Sequence, residues 1–312
     1  LTTTGATVVT DIETRMSRPL LLWRSLIQWL GGMGIVVLFV AVFPNLRGGG
    51  KQMFGEEVPG TTAEGLRPRI AETSRTLWKF YLVFTAAVIG GLWALGMDLF
   101  DSICHGFTTM STGGFSTRDA SIAAFDDPWI EMFLAVAMLV ASVNYGLYYA
   151  AVRGRTLRAF SRSTELVVFT AMVAVAAVSM TAGLLELHGG DLLTAFRYAF
   201  FRVATTLSST GYGTDDFSIY PPAMLGLVVA MMFVGGCAGS TAGGIKVERI
   251  VLMVKMTLVE IRRSYRPNLV QIIRMANRRV PDDVLTDALV FFILYMGALT
   301  VGCLGICLLE GR

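Results

Sequence analysis

The chain has 312 residues, 54% of them hydrophobic and only 16% charged, with a formal net charge of +3. Soluble domains carry about 25% charged residues and need them to cover their surface, so a soluble globular protein is excluded. A charge of +3 is too small to argue for a nucleic-acid partner. The composition is that of a polytopic membrane protein. The chain begins at Leu1 and not at Met, and Arg312 comes just after an apolar run, as expected of a fragment.

Uncharged runs mark the membrane segments, because roughly 20 apolar residues cross the hydrocarbon. They are 25–46, 80–97 (extended by Leu77 and Trp78), 132–152, 166–185, 217–245 and 288–309. Five read as ordinary single spans. The run 217–245 differs, with five glycines in Gly235-Gly-Cys-Ala-Gly-Ser-Thr-Ala-Gly-Gly244. Each Gly costs a helix roughly 0.8–1 kcal/mol relative to Ala. The pattern predicts a helix from about Pro222, a non-helical break, and a helix continuing through Lys246–Arg263. Irregular backbone at membrane depth is tolerated only inside protein or beside water, which makes the break a functional candidate.

Charge orients the chain. Lys and Arg number six in 47–79, four in 153–162 and nine in 246–279, whereas 98–131 and 186–221 hold three against ten acids. The positive-inside rule then places the basic loops in the cytoplasm and the acidic loops outside. Each acidic loop also holds a short helical candidate, Asp98–Met110 and Asp191–Leu207, too short to span and suited to a re-entrant half-helix. An Asp opens each, a good N-cap.

Self-similarity is the strongest signal. Ser111-Thr112-Gly113-Gly114-Phe115-Ser116-Thr117 follows the first short helix, and Ser209-Thr210-Gly211-Tyr212-Gly213-Thr214 follows the second. Thr117-Arg-Asp-Ala-Ser121-Ile122 likewise matches Thr214-Asp-Asp-Phe-Ser218-Ile219, and a third copy, Thr2-Thr3-Thr4-Gly5-Ala6-Thr7, opens the chain. The unit is span, half-helix, Thr/Gly strand, span. A half-helix entering from outside aims about half a negative charge at the membrane centre. An extended Thr/Gly strand can line a pore with carbonyls that replace a cation's hydration shell. No acid lies within the three strands, which suits a desolvated monovalent cation. Asp11, Glu13, Asp119, Asp215 and Asp216 just beyond them can concentrate cations at the mouth.

Other residues carry less. Cys104, Cys237, Cys303 and Cys307 form no CxxC pair and have no His cluster beside them, so neither zinc nor a disulfide framework is supported. His105 and His188 stand alone near the ends of apolar runs and read as structural or interfacial. Arg24 and Gln28, one helical turn apart, either snorkel outward or cap a neighbouring carbonyl, a structural role. Asn144 and Tyr145 interrupt a span as a pore-facing polar site or as a packing kink. GxxxG-type helix packing is the alternative for the Gly-rich segment. A nucleotide P-loop is rejected because Lys246 is followed by Val247 and no strand precedes it.

The Thr/Gly strands, Trp29-Leu-Gly-Gly-Met-Gly-Ile35, Arg67-Pro-Arg-Ile-Ala-Glu-Thr73 and Gly235-Gly-Cys-Ala-Gly-Ser-Thr-Ala-Gly-Gly-Ile-Lys246 together resemble the Trk/Ktr/HKT superfamily of cation transporters, nearest the membrane subunit of bacterial Trk potassium uptake systems. The resemblance covers essentially the whole chain. It implies an all-α polytopic membrane fold of four pseudo-symmetric repeats, each an outer helix, pore half-helix, filter and inner helix. On that plan 1–46 is repeat one without its outer and pore helices, 77–152 repeat two, 164–262 repeat three and 285–312 the first helix of repeat four. The segments 47–76, 153–163 and 263–284 are then cytoplasmic loops, and the chain alone leaves the fourfold pore incomplete.

The resemblance further implies that Gly5, Gly113 and Gly211 are filter glycines, within ion-binding strands Thr3–Gly5, Ser111–Gly113 and Ser209–Gly211. Backbone carbonyls of Thr4, Gly5, Thr112, Gly113, Thr210 and Gly211 would hold K+. Glycine at all three sites fits potassium selectivity, with sodium or non-selective permeation as the alternative. Gly235, Gly236, Gly239, Ser240, Thr241, Gly243 and Gly244 would form the gate. The implied setting is the bacterial cytoplasmic (inner) membrane, with a homodimer in the complete protein. A cytosolic nucleotide-binding regulatory subunit of the TrkA type is the implied partner, and no cofactor is expected. The basic loops serve either as its docking surface or as topogenic charge alone. An intramembrane enzyme is disfavoured, since the uncharged runs contain neither His.

Overall fold

The computed structural model describes residues 2–7, 9–42, 66–156, 158–266, 273–275 and 278–310. Leu1, Arg312 and the segment 43–65, with Arg47 and Lys51 of the expected basic loop, lie outside them. The chain divides into two compact units, the first ending at Val247 and the second taking Glu248–Arg312.

In the first unit the elements are α1 (Ile12–Arg15), α2 (Arg18–Val42), α3 (Leu66–Ala94), α4 (Leu99–Met110), α5 (Pro128–Ala141), α6 (Tyr145–Gly154), α7 (Arg158–Arg162), α8 (Thr164–Leu184), α9 (Leu192–Leu207) and α10 (Pro222–Phe233). The two short helices, α4 and α9, fall where the sequence places them. Asp98 caps α4 by accepting from the Phe100 N–H at 3.2 Å, and Asp191 caps α9 by accepting from Leu193 N–H at 3.1 Å. Bonds from the Thr194 hydroxyl and from Leu193 N–H hold the Asp191 carboxyl below the usual carboxylate range.

Two boundaries differ from expectation. α3 starts at Leu66, inside the segment assigned to a cytoplasmic loop ending at residue 76. Arg and Glu are good helix formers, so charge marks where the hydrocarbon ends and not where the helix does. The expected single span 132–152 is instead two helices, α5 and α6, bent by 84°. At the break the Ser142 hydroxyl donates back to the Met138 carbonyl at 2.9 Å, and Asn144 Oδ1 accepts from Gly146 N–H at 2.7 Å. Short polar side chains there compete with the helical ladder and restart it. Asn144 is therefore the N-cap of a packing kink.

The core of this unit lies where α2, α3, α4, α5 and α9 meet, built on Met33, Leu77, Tyr81, Leu92, Met110, Leu134, Met138 and Phe201. Trp29 stacks against Tyr81 and Phe107 with centroids 5.4 and 5.2 Å away, and its indole N–H donates to Thr85 Oγ1 at 3.0 Å. One turn on, a Cβ built on Gly32 would stand 2.8 Å from Ser111 Cα. The Trp-Leu-Gly-Gly motif thus seats α2 directly on the residue that opens the second Thr/Gly strand. Buried Glu131 of α5 pairs with Arg197 of α9 at 3.3 Å.

In the second unit α11 (Val247–Tyr265) leads to a hairpin of β1 (Arg274–Met275) and β2 (Arg278–Arg279), then to α12 (Asp282–Glu310). This two-residue ladder corrects the all-α expectation, though the chain is mostly helical. Leu252, Leu285 and Ala288 pack together, and the Arg249 guanidinium lies 3.8 Å over the Phe291 ring. Among the described residues, Ser74–Ala94, Thr164–Leu184 and Val284–Leu309 are long and apolar enough to cross a membrane, with the bent pair α5–α6 as a fourth.

Gly32→Val should overpack the α2–strand contact, where the neighbour is backbone. About 1–3 kcal/mol of stability and a Tm lower by several degrees in detergent are expected. An unchanged melting curve would refute the contact.

Candidate functional site: three converging Thr/Gly strands and a buried Gly-rich loop

α4 and α9 each run into a strand without a connecting turn of solvent-exposed chain. Ser111 and Ser208 cap the two helices, and the next residues, Thr112 and Ser209, turn left-handed with φ of 50° and 57°. Two residues further, Gly114 and Gly211 have φ of 72° and 87°. The opening strand repeats the alternation, with Thr3 at 54° and Gly5 at 71°. The backbone therefore aligns Gly5, Gly114 and Gly211, with Thr4, Gly113 and Thr210 at the level before them. This moves the second-repeat glycine one residue from the expected Gly113. The sequence pairs Gly113 with Gly211, whereas the left-handed Thr112 and Ser209 pair Gly114 with it.

The strands meet. A Cβ built on Gly5 would lie 2.2 Å from the Gly113 carbonyl oxygen and 3.8 Å from that of Thr210. One on Gly114 would lie 1.8 Å from the Thr210 oxygen. Glycine is required here by backbone conformation and by the approach of neighbouring carbonyls. Of the expected residues, Gly5, Gly113, Thr210 and Gly211 stand at these close approaches, and Thr3, Thr4, Ser111, Thr112 and Ser209 adjoin them along the chain.

Side chains brace it from behind. Gln28 Nε2 donates to the Gly113 carbonyl at 2.9 Å, while its Oε1 accepts from Phe115 N–H at 3.3 Å. Gln28 thus caps a carbonyl, one of its two sequence-level readings. Arg24 donates to Thr7 Oγ1 at 2.7 Å and lies 3.9 Å over the Phe115 ring, tying the first strand to the second. Tyr212, which the sequence did not single out, is buried with its hydroxyl 2.6 Å from Thr108 Oγ1, and donates to the His105 carbonyl at 3.2 Å. It connects the third strand to α4, the first of the two short helices. His105 is itself buried between the Asp101 carbonyl at 2.8 Å and Ser116 Oγ at 3.0 Å.

The acids beyond the strands are mostly engaged. Asp119 accepts from Ile12 N–H at 2.7 Å, Glu13 pairs with Arg118 at 3.6 Å, and Asp215 pairs with Arg202 at 2.6 Å. Their first role is to join the outer ends of the strands.

The Gly-rich segment leaves the helical path after Phe233 and rejoins it at Val247, as expected. Its two ends pair through Gly235 N–H to the Ile245 carbonyl at 2.9 Å and Ile245 N–H to the Phe233 carbonyl at 3.1 Å. Of the expected gate residues, Gly235, Gly236, Gly239, Ser240 and Thr241 are buried, while Gly243 is exposed and Gly244 half-buried. Thr241 Oγ1 donates to the carbonyls of Met110, at 3.0 Å, and Ala141, at 3.2 Å. Gly243 N–H donates to Ser209 Oγ at 2.5 Å. The loop therefore bonds directly to the end of α4 and to the start of the third strand.

Residues 1–310 match the family model described as TrkH, cation transport protein. The chain belongs to the TrkH family. It is 40% identical over 309 residues to the Trk system potassium uptake protein TrkH of Escherichia coli, covering 98% of this chain and 64% of that protein. The TrkH of Halomonas elongata is 36% identical over 311 residues, with 97% and 64% covered. The crystal structure of the potassium transporter TrkH from Vibrio parahaemolyticus superposes with a TM-score of 0.87 at 34% identity, covering 98% of this chain and 63% of that one. The chain thus spans about two thirds of the length of the curated relatives it matches, just under that fraction. The TrkH family is one of membrane transport proteins and not of enzymes.

Gln28→Leu leaves the Gly113 carbonyl and the Phe115 N–H without their partner. Each such buried orphan costs about 1–3 kcal/mol. In the full-length protein, ion uptake per folded molecule should fall at least tenfold, measured as Rb+ influx into proteoliposomes; uptake equal to wild type would show that Gln28 does not brace the strand.

Proposed function

We propose that the protein carries K+ across the cytoplasmic membrane of a bacterium, by diffusion along a filter of backbone carbonyls and under the control of Gly235–Gly244. The observation that carries this reading is the convergence of three uncharged strands with one shared backbone alternation, their carbonyls brought to one place. Uncharged carbonyl oxygens suit a dehydrated monovalent cation. The names of the Escherichia coli and Halomonas elongata relatives, both potassium uptake proteins, support K+ as the ion.

On this reading 1–46, 77–152 and 164–262 are three pore repeats, and 285–312 opens a fourth. The carbonyls of Thr4, Gly5, Thr112, Gly113, Thr210 and Gly211 hold the ion, and the backbone register adds Gly114. The C-terminal ends of α4 and α9, each with about half a negative charge, stabilise the cation where it has shed water. The loop closes the path below by its bonds to Met110 and Ser209. A Gly/Ser/Thr segment has no large side chains to withdraw, so what holds it in that position is chiefly its hydrogen bonds. K+ is the transported ion and no cofactor takes part. A cytosolic nucleotide-binding regulator of the TrkA type and a second copy of the protein are the proposed partners, with the basic segments facing them in the cytoplasm.

Two measurements test this on the full-length protein. Expression should restore growth of a K+-uptake-deficient bacterium at low potassium; failure despite good expression with the regulator would sink the transport reading. Gly114→Ser places a side chain at positive φ against the Thr210 carbonyl, whereas Gly113→Ser meets only the Gln28 amide. Gly114→Ser should therefore lower K+/Na+ discrimination at least tenfold and Gly113→Ser much less, read from paired Rb+ and Na+ fluxes. Selectivity untouched by both would mean that these strands are not the filter.

A further inference from the structure

Glu165 stands in the first turn of α8 with only 7% of its surface exposed, deep for a carboxylate at the edge of a membrane span. Its Oε1 accepts from the Ala238 N–H at 2.6 Å, across 73 residues of sequence. Ala238 lies in the middle of the Gly-rich loop. The residues on either side of it are fastened to the α5–α6 break: Cys237 N–H donates to the Ser142 carbonyl at 2.9 Å, and the Gly239 carbonyl accepts from Tyr145 N–H at 3.2 Å. Three successive residues are thus pinned, two by backbone freed at a helix break and the central one by an acidic side chain. The helix break and the acid meet on one tripeptide.

A buried acid is retained at a cost unless it is hydrogen-bonded and compensated. The N-terminal turn of α8 supplies compensation through its own dipole, and the Ala238 N–H supplies a bond. A backbone N–H could have been paired as cheaply by a neutral carbonyl, as the Cys237 N–H is. The acid adds a side-chain bond from a different helix, stronger when the carboxyl is ionised, to a tripeptide whose flanking residues are held by backbone of the α5–α6 break. It does so from the helix that follows directly on α7 and the Ser163 cap.

We infer that Glu165 is the positioning residue that latches the Gly-rich loop in its pore-closing place. This rests on the loop being the gate, as proposed above. Thr241 and Gly243 then set where the loop seats against the strands, and Glu165 sets how firmly its middle is held. Ion ligands are untouched by the latch, so its loss changes how often the path is open and leaves unaltered what the open path conducts.

The test is single-channel recording of the full-length protein in planar bilayers, with three variants. Glu165→Met keeps the volume and removes the acceptor. Glu165→Gln keeps an acceptor oxygen. Deletion of 238–241 removes the latched segment. Loss of the bond should raise the open probability of Glu165→Met about tenfold or more, with unitary conductance and K+/Na+ permeability ratio unchanged, while Glu165→Gln, which keeps only a neutral acceptor, falls between Glu165→Met and wild type. If Glu165→Met is not recovered folded, Ala238→Pro, which deletes the donor, is read in its place. An open probability unchanged in Glu165→Met, an altered conductance, or Glu165→Gln opening more often than Glu165→Met would overturn the latch. The deletion separates the two readings: raised flux in the deletion with none in Glu165→Met refutes the latch alone, and no rise in the deletion refutes the gate itself.

Discussion

Backbone that is neither helix nor sheet must pair every N–H and C=O within the protein when water is absent. The first unit is organised around this requirement. Two stretches break the helical ladder at depth, the Thr/Gly strands and the Gly-rich loop, and each is satisfied largely by the other's neighbours. The Gly113 carbonyl takes the Gln28 amide, and the Thr241 hydroxyl takes the carbonyls that end α4 and α5. Even the bend between α5 and α6 belongs to this accounting. Ser142 and Tyr145 release a carbonyl and an N–H there, and the loop supplies the partners for both. A straight helix through 142–145 would have no backbone groups to offer, and the loop would be left with orphans at about 1–3 kcal/mol each.

The same requirement explains the choice of small residues. Where one backbone approaches another to within the radius of a methyl group, only glycine fits, and Gly5, Gly114 and Gly235 each face a carbonyl oxygen at such range. Large side chains then gather one layer out. Trp29, Tyr81, Phe107 and Tyr212 form a wall around the strands, with their polar atoms spent on hydrogen bonds and not on water. Bare backbone in front is what a carbonyl site needs, because the number and field of its oxygens replace an ion's hydration shell, and the wall behind keeps those oxygens from withdrawing.

Much of this was legible in the residues. Asp98 and Asp191 announced the half-helices because an N-cap is a local event, and the clustered glycines announced the loop because helix propensity is additive along the chain. The one-residue register of the second strand was not legible, since Gly113 and Gly114 satisfy the same pattern and only the left-handed Thr112 tells them apart. The bend at Ser142–Asn144 was legible only as an interruption at Asn144 and Tyr145 with two readings, because an uncharged run measures depth in the membrane and says nothing of continuity. Gln28, Tyr212 and Glu165 act across 85, 104 and 73 residues respectively. A single sequence holds no signal for such pairs beyond the oddity of a polar group in an apolar stretch.

The outer acids show how a charge pattern is reinterpreted by geometry. Ten acids on one side suggest a field that gathers cations. Yet Glu13 and Asp101 share Arg118, Asp215 is matched by Arg202, and Asp119 holds the backbone of Ile12. A paired carboxylate contributes little at distances beyond a Debye length of about 8 Å. What these acids do instead is join each strand's outer end to the next repeat: Asp119 and Arg118 link the second to the first, and Arg202 with Asp215 closes the third on its own half-helix. The entrance is therefore held at both levels by bonds of different kinds. Outside, charged pairs tolerate water; behind the carbonyls, the Gln28 amide and the Tyr212 hydroxyl brace the strands with neutral groups, and the Arg24 guanidinium ties the first strand to the second through Thr7 and Phe115. A carboxylate at Gln28 or Tyr212 would bind a cation harder and release it more slowly, so an inner layer free of acid fits the proposed passage of an ion along the carbonyls.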